Sequence, residues 1–113
     1  MKLNKQFTLD TIDEGLLNEI VLLSNKLEKN LTNIDKKEFE NFNTLVSKAI
    51  DLRGEQINNI INSFCEKYPV DELVGISFNF TLDFKTENVI NRALAVEQKY
   101  IDLVTNQYTN GGQ

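Results

Sequence analysis

The 113-residue chain has no histidine and no tryptophan, and only one cysteine, one proline and one methionine. Without histidine, imidazole acid–base chemistry is excluded, and a lone Cys65 cannot complete the common zinc, haem or iron–sulfur ligand sets. Neither a metal nor any other cofactor is expected. Cys65 cannot close an internal disulfide either. It falls among Ile57, Ile60, Ile61 and Phe64 at helical spacing, which predicts a small, buried apolar side chain. Long hydrophobic runs are also missing: stretches such as Ile20–Leu23 stop at four residues, against the roughly 20 needed to cross a bilayer. The opening MKLNKQFTLD turns polar and acidic where a secretory signal needs its apolar segment. A cytoplasmic protein with no membrane partner is therefore expected (in host cytoplasm or a virion, if phage-encoded). The five glycines, at 15, 54, 75, 111 and 112, have neither phosphate-loop nor dinucleotide-fingerprint spacing, so no small-molecule ligand is evident.

Positive charge is the next shortage. Lys and Arg total 12 against 17 Asp and Glu, a net charge of −5, with the acid excess in residues 69–113. Nucleic-acid binding needs a cationic footprint to neutralise phosphates, and Lys36-Lys37 is only a dipeptide followed by Glu38. No nucleic acid is expected as a partner. An acidic surface suits either solubility or contact with a basic protein face.

What is present is periodicity. Leu3 to Leu9 alternate loosely, with Lys5 interrupting the apolar face, and read as a short strand. Thr11-Ile-Asp-Glu14 has the form of a capping box, and Leu16, Leu17, Ile20, Val21, Leu23 and Leu27 follow at helical spacing, giving a helix from Ile12 to Asn30. Asp35 with Glu38 starts a second helical pattern that runs to Tyr68, where Pro69 ends it. A single helix of that length exceeds the diameter of a compact domain this size, so it either breaks at Arg53-Gly54 or projects. ISFNFTLDF then alternates without interruption. Ile76, Phe78, Phe80, Leu82 and Phe84 share one face, and Ser77, Asn79, Thr81 and Asp83 the other. Thr86 is positioned to cap a last helix with Val89, Ile90, Ala93, Leu94, Val96, Tyr100, Ile101 and Val104 on its buried face, and Thr109–Gln113 reads as a flexible tail. The expected fold is α+β and predominantly α-helical. It is a single domain over residues 1–113, with three to four helices and a small two-stranded sheet in the order β-α-α(-α)-β-α.

The tetrapeptide FTLD occurs twice, at 7–10 and 80–83, each time where a strand gives way to a helix. If the strands paired with these copies aligned, Asp10 and Asp83 would emerge side by side near Asp13, Glu14 and Glu87, an oxygen-rich cluster. The simpler reading, which we prefer, is that each Asp precedes or caps its own helix. Whether the strands run parallel or antiparallel stays open at this level. No nucleophile is paired with a base, so no catalytic residues are assigned and no enzyme is expected. Two strands alone leave open edges, and the second strand carries neither Pro nor Lys to guard its edge. The candidate interaction edge is therefore Ile76, Phe78, Phe80, Leu82 and Phe84 with Ser77, Asn79 and Thr81, its partner being another protein or a second copy of the chain. Abundant Asn and Lys suit an AT-rich bacterial or bacteriophage gene. Two functions fit: an accessory or assembly protein, or an acidic inhibitor, such as an immunity or anti-defence protein, that blocks a basic site.

Overall fold

The structure is a computed structural model that describes residues 3–68 and 76–111, with backbone alone at 3, 76 and 107–111. Strand β1 (Leu3–Thr8) leads to helix α1 (Glu14–Lys29), a short 3-10 turn (Leu31–Asn33) and helix α2 (Lys36–Lys67). Strand β2 (Ile76–Thr81) and helix α3 (Phe84–Gly111) follow. The fold is α+β and predominantly helical, in the order β-α-α-β-α. The strands pair in parallel, with Phe7 opposite Phe80 and Thr8 opposite Thr81. The two FTLD copies thus lie side by side in register.

From that junction both strands pass into helices that run the same way. Glu14 pairs with Lys85 (3.4 Å) near their starts and Glu28 with Lys99 (3.7 Å) further along, at the same sequence offset. These are exposed pairs worth at most about 1 kcal/mol each, but they record the parallel alignment of α1 and α3. Helix α2 runs back along both. Lys26 meets Glu38 near its start, Phe39 packs in a tilted ring contact on Tyr100, and Phe64 reaches the strands near its end. The molecule is therefore long, 60 × 35 × 20 Å, with a helical bundle at one end and the sheet at the other. A six-residue strand of about 20 Å running into a 28-residue helix of about 42 Å accounts for that length.

Burial follows the same division. The core is formed by Ile12, Leu16, Leu17, Ile20 and Leu27, by Phe42, Val46 and Ala49, and by Ile90, Ala93 and Val96. All the α2 members of this cluster lie in its first half. The second half faces only two strands, and Ile57, Ile60, Ile61 and Phe64 reach half-burial. Cys65, expected to be buried, is exposed. Its helical pattern is sound, but a two-stranded sheet is too narrow to cover both flanks of the helix.

The element boundaries settle one open alternative and correct several expectations. Helix α2 takes the second of the two alternatives left open and stays unbroken: all 32 residues are helical through Gly54, where an added Cβ would meet nothing within 4 Å. One glycine costs about 1 kcal/mol in a helix, too little to offset packing on both sides of it. The cap of α1 is Asp13, whose Oδ1 accepts from the Leu16 N–H (3.2 Å), and not Thr11. Thr86 is not a cap either. Asp83 caps α3 by accepting from the Thr86 N–H (2.9 Å), and Thr86 lies in the first turn, fully buried. Asp35 is the N-cap residue of α2 but makes no side-chain capping bond. Leu94, Ile101 and Val104 of α3, expected on its buried face, are exposed. Finally, α3 extends through Gly111, so Thr109–Gly111 belong to the helix and are not a tail, while residues 112 and 113 lie outside the described residues. Extending an existing helix adds one hydrogen bond per residue, which outweighs weak propensity there.

Candidate interaction surface

The strand-to-helix junction is held by Arg53. It continues the buried stripe Phe42, Val46, Ala49 on α2 and is itself 7% exposed. A buried guanidinium must be hydrogen-bonded, and here it is clamped on several sides. Nη1 donates to the Asp10 carbonyl (3.1 Å) and to Gln56 Oε1, Nη2 donates to Asp83 Oδ1, and Nε faces Glu87 Oε1 at 3.5 Å. Gln56 Nε2 also donates to the Asp10 carbonyl (3.1 Å). Thr11 Oγ1 donates to Asp83 Oδ2 (3.1 Å), and the Ile12 N–H donates to Thr86 Oγ1 (3.2 Å), so the first FTLD copy is fastened to the second.

Burial pushes the Asp83 carboxyl up, but hydrogen bonds from Thr86, Arg53 and Thr11 overcome it and hold the group well below the ordinary carboxylate range. Asp10 and Asp83 do come together at neighbouring strand ends, but they make no shared cation site. Asp10 contributes its backbone carbonyl and exposes its side chain, while the guanidinium takes the position beside Asp83 that a cation would need. Among the described residues no group of three or more Asp, Glu or Cys side chains is placed to hold a metal ion. The junction is a structural clamp.

Beyond it lies the sheet, whose two faces differ completely. Asn4, Gln6 and Thr8 of β1 and Ser77, Asn79 and Thr81 of β2 form an exposed, uncharged polar face. Gln6 Nε2 donates to Thr81 Oγ1 across it (3.2 Å). The other face carries Lys5, Phe7, Phe78 and Phe80, all half-buried, under the end of α2. Phe64 meets Phe78 edge-on (5.2 Å between centroids, 89°) and Phe7 likewise (6.3 Å, 83°), and it stacks on Tyr68 (4.6 Å). Phe7 stacks on Phe80 at 5.7 Å. Each such pair adds about 1 kcal/mol beyond area burial. Lys5, which interrupts the apolar pattern in sequence, is accommodated because its Nζ lies over the Phe64 ring (5.9 Å). Beside this cluster Phe7, Ile60, Phe64, Lys67 and Tyr68 line an open groove of about 410 Å³.

The predicted edge is thus partly assembled and partly dispersed. Phe78 and Phe80 share the aromatic face, and Ser77, Asn79 and Thr81 share the polar one. Ile76 is paired with Leu3 through the backbone, and its side chain lies outside the described residues. Leu82 and Phe84 do not belong to the edge. The strand ends at Thr81, Asp83 caps the helix, and the change from a period of 2 to 3.6 turns Phe84 outward. They are 51% and 84% exposed, at the waist of the molecule. The sequence reading missed Phe7, Phe64 and Tyr68 as partners of the strand aromatics. It also missed Arg53, although an arginine in phase with Phe42, Val46 and Ala49 was a signal that a counter-charge awaited it. No helix of the described residues is long and apolar enough to cross a membrane. Compared with family models, curated proteins and solved structures, the chain shows no significant match to any.

Proposed function

We propose that this chain is a non-enzymatic protein-interaction module, an accessory or assembly protein of bacterial or bacteriophage type that works by docking its sheet end on protein. The supporting observation is the second apolar cluster, Phe7, Phe64, Phe78, Phe80 and Tyr68, which stands apart from the core and is only half covered. Aromatic side chains left half open beside a groove are the kind of surface that anchors protein contacts. The open strand edge alongside adds backbone groups for strand addition.

The acidic-inhibitor reading is second, supported by the net charge of −5. Immobilised full-length chain should retain protein, either its own copies or another species, and Tyr68→Ala should retain several-fold less. Tyr68 lies at the C-terminal end of α2, clear of the core, so its loss costs about 1 kcal/mol of stacking on Phe64, and circular dichroism of the variant checks that the fold is retained. Retention of nothing by the unaltered chain, or equal retention by both, overturns the interaction reading. Retention abolished by moderate salt but unaffected by Tyr68→Ala supports the inhibitor.

A further inference from the structure

We propose that the outer edge of β2 pairs antiparallel with the same edge of a second copy. The product is a four-stranded sheet, β1-β2-β2-β1, with a twofold axis at Asn79. This rests on the interaction-module reading and specifies the partner.

The backbone decides which groups are available. The Leu9 N–H donates to the Thr81 carbonyl at 2.9 Å, which turns the Thr81 backbone groups toward β1. Because successive residues alternate, Ser77 and Asn79 also face β1, and the N–H and C=O of Phe78 and Phe80 point outward. Apart from the β1 ladder, no backbone hydrogen bond among the described residues reaches them. In an antiparallel pairing centred on Asn79, Phe78 stands opposite Phe80 of the second copy as a hydrogen-bonded pair on each side of the axis. Asn79 then faces its own counterpart as the closer, non-hydrogen-bonded pair.

Self-pairing demands that this edge tolerate itself. Around a twofold axis every residue meets its own kind or a near neighbour, so a central charge would face the same charge. Ser77 to Thr81 carries no charge and no proline, whereas the β1 edge has Lys5 at its middle. On the apolar face the same register sets Phe78 against Phe80 across the axis, joining the half-open aromatic clusters of two molecules. The molecule as a whole also exposes more surface than a compact one. The chain exposes 7943 Å², where a compact monomer of this mass exposes roughly 6,300 Å². That excess is shared between the sheet end and the projecting end of α3, and half of it would supply the roughly 800 Å² per partner that a stable interface takes.

The test is the mass of the full chain by size exclusion with light scattering, over a concentration series reaching the millimolar range. A dimer is expected. Asn79→Lys, on the exposed polar face, should raise its dissociation constant roughly tenfold or more by setting like charges face to face. Asn4→Lys, which adds the same charge to the same face on β1, should change it little. Asn79→Cys in a Cys65→Ser background should give a disulfide-linked dimer on mild oxidation, because the close pair falls within disulfide reach; Gln6→Cys in that background should not. A monomer throughout, a dimer indifferent to Asn79→Lys, or equal cross-linking at both positions overturns the proposal. A monomer that nevertheless retains another protein through Tyr68 would leave the interaction reading standing while removing the second copy.

Discussion

Arg53 and Asp83 show what single residues contribute. Their side chains are 9% and 16% exposed, so removing one partner strands a poorly solvated charge. Arg53→Met should cost about 3 kcal/mol in urea unfolding. The pH dependence has a definite sign. Because the folded pKa of Asp83 lies below its ordinary value of 3.8, its contribution is complete above that pH and is lost as pH falls through it toward the folded value. Asp83→Asn should therefore lower stability at pH 7 and flatten the acid limb of the stability profile. An unchanged acid limb would count against the clamp. Glu97 behaves oppositely. Burial raises its pKa above 4.5, and its Oε1 has no hydrogen-bond partner among the described residues. A raised carboxyl is favourable when protonated and unfavourable when ionised. Glu97→Gln should raise the melting temperature at pH 7, and the gain should disappear below pH 4.5. Neither effect was legible residue by residue in the sequence. Arg53 was visible as an arginine in a core stripe, but its counter-ion lies 30 positions away, brought near by strand pairing that periodicity alone cannot orient.

At the level of elements, local pattern carried most of what could be read. The two strands, the apolar stripes of all three helices and the FTLD junctions follow from alternation and spacing. The errors fall where one period hands over to another. Thr11 and Thr86 looked like caps because threonine before an apolar run usually is one. In the fold, Asp13 and Asp83 hold those positions and the threonines are free to tie the two junctions together. Helix α2 illustrates a different limit: its pattern is uniform, yet its first half is buried and its second half only partly so. Gly54 sits near that change, unopposed by any neighbour. Since nothing there requires the absence of a side chain, Gly54→Ala should stabilise the chain by about 0.5–1 kcal/mol in urea unfolding. Destabilisation instead would mean that this helix must bend at Gly54 in solution.

For the whole molecule, shape and charge act against each other. The Cα radius of gyration is 19.1 Å, where a compact chain of this length would have about 13 Å. The extra length lies at both ends, in the two strands under half a helix and in the part of α3 beyond Tyr100, and docking the open edge and aromatic face against another molecule would cover the first of these. Yet each chain carries −5, and two copies repel. The β2 edge avoids adding to that repulsion because it is neutral, but it does nothing to offset it. Salt therefore separates the two readings of function by the sign of its effect. Raising ionic strength from about 0.05 to 0.5 M shortens the screening length from roughly 14 Å to about 4 Å. Pairing of like-charged copies through a neutral edge should then tighten, with the dimer fraction at fixed concentration rising in sedimentation velocity. Docking of an acidic inhibitor on a basic target should weaken over the same range, mainly through slower association. Self-association that falls with salt would mean that the contact is built on opposite charges, and so lies away from the uncharged strand between Ser77 and Thr81.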